Sequence, residues 1–346
     1  MAKRPYHNIL LIQTGFVGDM VLTTPLIRAL RTHAPDARIT LLTAPRAAGI
    51  IEHNPHINEM IVYDKKGADR GVGPFLKLSK RLRAAKYDLV IAPHRSVRSG
   101  LLAWRTGARR RIGFDHAQCR YFYTDIVPYS RWEGTFIRRK LRLLEPLDIF
   151  EENETPELHW APETEAKIQA RLDEREGKRP FAVLAVGSAW ATKRWPAERF
   201  AEAAAALHKH GFDAIAVGGP GDKHAGSIAH EKGGAHDWTG TTSLPEVAAL
   251  LAKASLFVGN DSGTLHMARA TRTPAVALFG PTGPEQFRFD NLVRVLTSEV
   301  PCAPCADHGH DECPKGNWIC MPEISAERVV EAAEDLGAIK HKGERV

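Results

Sequence analysis

One type of segment occurs twice in this chain, and it limits the fold more than any other feature. In each half an apolar stretch runs into a Gly-rich polar turn and then into a helical pattern: NILLIQTGFVGDM at 8–20 and ASLFVGNDSGTLHMA at 254–268. A strand that is apolar throughout, rather than alternating, is buried on both faces, which implies a parallel sheet covered by helices. The chain has 346 residues, beyond the size at which a single core usually keeps growing, so the two turns predict two α/β domains sharing one ligand. Neither turn is a G-x-G-x-x-G fingerprint or a Walker loop, which removes the commonest readings of such a turn.

The rest of the chain follows the same alternation. Strands are expected at 9–13, 38–43 and 88–92, and helices at 20–33, 74–85 and 133–147, with Pro25 near the start of the first helix, where its missing N–H is tolerated. The acidic stretch FEENETPELHWAP at 150–162 has two prolines and no sustained period, and reads as a linker. Beyond it, strands are expected at 181–187, 213–219, 256–259 and 274–280, and helices at 197–210, 223–232 and 244–254. The predicted domains are therefore 1–155 and 163–346, leaving open whether the last helix packs back on the N-terminal domain.

A formal net charge of +6 favours anionic ligands or surfaces, and no nucleic-acid partner is expected. Basic residues are dispersed except at Arg109–Arg111 and in the group Arg138, Arg139, Lys140 and Arg142. Such runs are by default solvated faces. The start MAKRPYHNILLIQ lacks the long apolar region and cleavage site of a signal peptide, and no stretch approaches the length of a spanning helix. A cytoplasmic protein is the simplest reading, with any membrane contact peripheral.

Several segments then form a recognisable set: TGFVGDMVLTTPLIRAL at 14–30, RIGFDHAQCR at 111–120, WATKRWPAERFAEAA at 190–204, GNDSGTLHMARATRTPAVALFGPTGP at 259–284, and the tail PCAPCADHGHDECPKGNWICM at 301–321. Together they resemble the lipopolysaccharide heptosyltransferases of glycosyltransferase family 9, and within that family most of all the heptosyltransferase II group. The resemblance implies a GT-B fold, two Rossmann-like domains facing across a cleft. It also implies inverting transfer of L-glycero-D-manno-heptose from ADP-heptose to the lipid A-Kdo inner core of lipopolysaccharide, at the cytoplasmic face of the inner membrane.

Asp19 stands where the first strand gives way to a helix. Inverting transfer needs a base opposite the leaving group, and Asp19 matches the position of the family's proposed base. Read from the residues alone, it is equally a helix cap. Gly15 and Gly18 would allow close backbone approach to a ligand and φ > 0, or simply make the turn. On the donor side, Ser262, Gly263 and Thr264 open a helix whose free N–H groups suit a diphosphate. Asp261 would repel a phosphate and is read as accepting from sugar hydroxyls. His266 is either a phosphate contact or a satisfied structural histidine.

Lys193 supplies the compact cation that a departing ADP requires, while its neighbour Arg194 would point away as a surface residue. Ser188 and Thr192 offer hydroxyls, and Asp222 in GGPGDKH either accepts from a ribose hydroxyl or caps the helix at 223–232. Gly280 and Thr282 form a second donor-side turn. With no D-x-D signature, no catalytic metal and no cofactor beyond the donor are expected. Cys302, Cys305, Cys313 and Cys320, with His308 and His310 as substitutes, are either a structural zinc site or reduced thiols, the second being preferred. Cys119 stands apart. Arg120 is the chosen acceptor contact because it belongs to the family-like segment, with the Arg109–Arg111 and Arg138–Arg142 groups behind it. Another nucleotide sugar or inner-core acceptor, or a non-catalytic nucleotide- or glycan-binding protein, are the competing readings. The coexistence of Asp19, Lys193 and Asp261 favours transfer, because a binder needs no base.

Overall fold

The computed structural model describes residues 6–130 and 133–339. The basic start of the chain at 1–5 and the final residues 340–346 of the expected C-terminal domain lie outside them. The chain divides into two compact units, Met1–His159 and Trp160–Val346.

In chain order the first unit contains β1 (Asn8–Gln13), α1 (Val17–Val21), α2 (Thr24–His33), β2 (Arg38–Thr43), α3 (Pro45–Ile51) and β3 (Glu59–Val62). These are followed by α4 (Val72–Ala84), β4 (Leu89–Ala92), α5 (Val97–Arg105), β5 (Arg110–Phe114), β6 (Asp125–Val127) and α6 (Phe136–Leu141). The six strands lie in the order β3-β2-β1-β4-β5-β6, all parallel. Ile9 to Ile12 on β1 and Leu89 to Ile91 on β4 are fully buried, as expected for central strands covered on both faces. The strand order reverses between β1 and β4, and a crevice opens at the carboxyl ends of the strands at such a reversal.

The second unit contains α7 (Pro162–Asp173), β7 (Phe181–Ala185), α8 (Ala197–Lys209), β8 (Asp213–Val217), α9 (Lys223–Gly233), β9 (His236–Asp237) and α10 (Leu244–Lys253). It continues with β10 (Leu256–Asn260), α11 (Gly263–Ala270), β11 (Ala275–Phe279), β12 (Val293–Thr297), α12 (Cys320–Glu323) and α13 (Ala326–Asp335). Its order, β12-β11-β10-β7-β8-β9, is again parallel and repeats that of the first unit, so here the reversal falls between β7 and β10. Helix α13 packs on α8, β11 and β12. Each unit is thus a doubly wound Rossmann sheet, and the architecture is of the GT-B class. No helix among the described residues is long and apolar enough to cross a membrane.

Two helix expectations are corrected. The helix expected at 20–33 is two helices, because Pro25 opens α2 as a new start and the Thr23 hydroxyl turns back to the Asp19 carbonyl (2.6 Å). The helix expected at 133–147 is α6 followed by a 3-10 turn over Arg142–Leu147, where Pro146 has no N–H to continue the ladder. The boundary between the two units falls within the linker expected at 150–162, whose earlier part is fastened to the first unit: Arg28 pairs with Glu157 (2.7 Å) and also donates to the carbonyls of Asn153 and Thr155.

Candidate active site

In the first unit the turn after β1 is built around Asp19, the third residue of α1. One carboxylate oxygen, Oδ2, accepts the Phe16 backbone N–H at 3.1 Å, the capping role that a turn Asp fills. The other, Oδ1, lies 3.6 Å from Lys140 Nζ, and the Asp19 side chain remains 38% exposed. The capping bond therefore uses one oxygen and leaves the other facing Lys140. Lys140 is buried on α6, where its ammonium also donates to the Asp19 carbonyl (3.1 Å) and to Thr23 Oγ1 (3.2 Å). Burial pulls this ammonium below its ordinary value, and the facing Asp19 carboxylate pulls it back up. Gln13 completes the frame, donating to Thr23 Oγ1 at 3.0 Å and accepting the Gly15 N–H at 3.1 Å.

Across the strand reversal, just past β4, stands His94. Burial pushes its imidazole down to about 4; the Asp19 carboxylate opposes this, and the cations Lys65, Lys140 and Arg95 reinforce it. The ring is therefore neutral near pH 7, and its Nδ1 is buried without a hydrogen-bond partner. In the sequence His94 belongs to no motif and Lys140 is only one member of a basic run; both reach Asp19 only through the fold. The glycine expectation changes too. Gly15 and Gly18 are not among the residues with positive φ, and Gly18 lies within α1. A Cβ on Gly15 would stand 2.7 Å from Asp19 Oδ2, so this glycine makes room for the carboxylate.

In the second unit the two loops at the strand reversal are tied together by Asn260. Its side chain is fully buried at the end of β10, accepts the Trp195 N–H (2.9 Å) and donates to the Gly187 carbonyl (3.2 Å). Next to it, Asp261 forms a buried ion pair with Lys193 and accepts the Thr282 hydroxyl at 2.7 Å. The structure thus brings Lys193, Asp261 and Thr282 into one cluster. Both contacts fall on Asp261 Oδ2, and neither uses Oδ1. Ser262 precedes α11 in extended conformation, and no side chain caps this helix. The N–H groups of its first turn therefore stay available to an anion beside the lysine. The Ser262 and Thr264 hydroxyls bond to each other at 2.8 Å.

The other residues expected on the donor side are placed as follows. Thr192 is buried, donates to the His310 carbonyl (2.9 Å) and accepts the His310 N–H (2.8 Å), so its hydroxyl is not open to a phosphate. His266 is buried within α11 with its ring against Phe287 at 4.9 Å. Gly280 accommodates α12: a Cβ there would stand 2.5 Å from Met321 Sδ. Asp222 occupies the cap position of α9 but makes no capping bond. It closes its own turn on the Gly219 N–H (2.8 Å) and pairs with Arg194 (3.2 Å), which therefore does not point away. Arg194 also donates to the Ser188 carbonyl, while the Ser188 hydroxyl sits 3.5 Å from the Trp190 N–H.

The arginine groups prove mainly structural. Arg110 and Arg111 belong to β5, Arg110 paired with Asp125 (2.5 Å) and Arg111 bonded to the Phe122 and Ala108 carbonyls. Arg138 pairs with Glu154 (2.8 Å), Arg142 with Glu133 (2.8 Å), and Arg139 is buried over the Phe136 and Tyr129 rings. Arg120 is exposed on a 3-10 turn, its guanidinium over the Tyr121 ring.

The cysteines are all free, and among the described residues no three His, Cys, Asp or Glu side chains stand together as metal ligands. Cys302 and Cys305 act electrostatically on Cys320, whose thiol burial pushes up. The Cys313 thiol is drawn down by the backbone N–H groups of Trp318 and its neighbours.

Two Rossmann units, one with a held carboxylate at its strand reversal and the other with a buried lysine beside an uncapped helix start, describe a glycosyltransferase of the GT-B class. Residues 75–316 match the description "Glycosyltransferase family 9 (heptosyltransferase)", and the chain belongs to that family. It is 30% identical to lipopolysaccharide heptosyltransferase 3 of Escherichia coli (strain K12), over 92% of this chain and 95% of that one. Lipopolysaccharide heptosyltransferase 2 of the same strain is 26% identical, over 80% of this chain and 84% of its own length. The crystal structure of the family 9 glycosyl transferase from Veillonella parvula DSM 2008 superposes with a TM-score of 0.87 at 28% identity, covering 96% of this chain and 98% of that one.

Proposed function

We propose that this chain transfers L-glycero-D-manno-heptose from ADP-heptose to the inner core of lipopolysaccharide, with inversion at the anomeric carbon. The observation that carries the reading is the partly exposed Asp19 carboxylate, one oxygen anchored by a backbone N–H and the other facing the buried ammonium of Lys140. Asp19 accepts the proton of the acceptor hydroxyl as its oxygen bonds to the anomeric carbon. The bond from that carbon to the donor phosphate breaks at the same time, and ADP departs with the bonding pair. Lys193 and the first-turn N–H groups of α11 stabilise the charge growing on the leaving phosphate, an effect larger in the transition state than in the bound donor.

Lys140 is a positioning residue: it holds Asp19 and touches no substrate. His94 is neutral, so it adds no positive charge near Asp19. Among the heptosyltransferases, the acceptor position is decided by groups that line the acceptor, for which Arg120 remains the proposed contact. The acceptor is lipid-borne, so the chain works at the membrane surface.

Two substitutions test the assignment. Asp19→Asn should lower kcat by roughly 10² to 10⁴, the contribution of general base catalysis, with donor KM little changed. Lys140→Met should lower kcat by up to about a hundredfold through misplacement of the base, also at constant donor KM. Near-normal turnover of a folded Asp19→Asn protein would remove the base, and a Lys140→Met protein that loses donor affinity instead of turnover would make Lys140 merely structural.

A further inference from the structure

On the first unit, a cavity of about 630 Å³ opens between the C-terminal halves of α4 and α5. Lys80, Arg83, Arg105 and Arg111 line it together with Leu76 and Trp104, and no carboxylate does. Arg111 is spent on the Phe122 and Ala108 carbonyls. Among the described residues Lys80, Arg83 and Arg105 have no ion-pair partner, whereas nearby Arg81 is paired with Glu59 at 3.0 Å. Large apolar groups stand exposed beside these cations: Leu76 is 45% exposed and Trp104 48%. Trp104 is fixed by stacking on Phe122 at 5.4 Å, and Tyr121, next in sequence, is 81% exposed.

A cation in the last turn of a helix complements the helix dipole, which accounts for Arg83 and Arg105 singly. It does not account for a half-exposed indole held among unpaired cations. Tryptophan and tyrosine favour the boundary between headgroups and acyl chains, and lysine and arginine favour anionic headgroups above it.

From this placement we propose that the α4–α5 groove is a docking surface for a bilayer containing anionic phospholipid. Trp104 and Leu76 enter the headgroup boundary, and Lys80, Arg83 and Arg105 take lipid phosphates. A lipid-borne acceptor gives this surface its use, so the inference deepens the transferase reading. Vesicle binding is measured without turnover, which keeps failure of the one distinguishable from failure of the other.

The experiment is flotation of the full chain with vesicles of phosphatidylglycerol and phosphatidylethanolamine, against vesicles of phosphatidylcholine alone. The protein should float with the anionic vesicles, release as salt rises, and stay behind with the neutral ones. The double variant Lys80→Gln with Arg83→Gln should bind roughly 25-fold more weakly, about fivefold for each cation. Trp104→Ala should also weaken binding, and turnover on a soluble acceptor fragment should be retained in both variants. No binding to anionic vesicles, equal binding to neutral ones, or binding unchanged by these surface substitutions would each overturn the proposal.

Discussion

His94 illustrates how one residue near Asp19 shapes both chemistry and stability. Burial holds its imidazole at about 4 against an unperturbed 6.5, with Asp19 opposing and Lys65, Lys140 and Arg95 assisting. As pH falls below 6.5 the unfolded chain binds this proton before the folded one does, so native stability is full above 6.5 and is lost as pH falls through about 4. The loss from this single group is on the order of 3 kcal/mol. Comparing denaturation of the native chain with His94→Gln between pH 4 and 8 isolates it. The native chain should lose more stability on acidification, with the two curves parallel above pH 6.5. Curves parallel throughout would mean that His94 is not held neutral by the fold. Asp19 itself was legible because a carboxylate at a strand-to-helix turn is a local pattern. Lys140 and His94 were not, since Lys140 comes 121 residues after the residue it holds and His94 follows a different strand.

At the scale of elements, the cysteine-rich segment matters through what it fastens. The Thr192 N–H donates to the His310 carbonyl at 3.0 Å, the Thr192 hydroxyl accepts the His310 N–H, and Trp318 Nε1 donates to the Thr192 carbonyl at 3.1 Å. The segment is thereby strapped over the short turn that carries Lys193. Gly309 lets it lie close: a Cβ there would stand 2.5 Å from Trp190 Cβ and 2.9 Å from Lys193 Cγ. Gly309→Ala should therefore lower stability by about 1–3 kcal/mol, as overpacking does. It should also lower kcat, by displacing Lys193, the cation proposed to stabilise the leaving ADP. Denaturation together with steady-state kinetics checks both, and an alanine variant with unchanged stability and turnover would show that the strap has no part in placing Lys193. From sequence this segment showed only its cysteine spacing, which directs attention to metal ligands rather than to the backbone bonds of Thr192. Strand β5 was hidden for a related reason. Arg110 and Arg111 read as a solvated charge run, because their partners Asp125 and Phe122 are supplied by neighbouring elements.

For the molecule as a whole, the doubly wound architecture was readable because central strands such as β1, β2 and β10 are apolar on both faces, and that needs no long-range information. The short outer strands β3, β6 and β9 carry no such signal, and the pairing of six strands in each unit depends on contacts the pattern does not encode. What the two sheets share is a strand reversal beside the proposed site groups: Asp19 and His94 in one, Lys193, Asp261 and the start of α11 in the other. The central claim is that these groups serve one reaction, transfer from an ADP-linked heptose. ADP release from ADP-heptose, measured in parallel with other ADP-, UDP- and GDP-sugars and with defined heptose-free and heptose-bearing inner-core acceptors, tests it most directly. The account predicts nucleotide release with ADP-heptose that depends on acceptor, yields an inverted heptosyl linkage and collapses in Asp19→Asn. Acceptor-dependent release from another nucleotide sugar with ADP-heptose inert, or no turnover of any donor by folded protein, would contradict it.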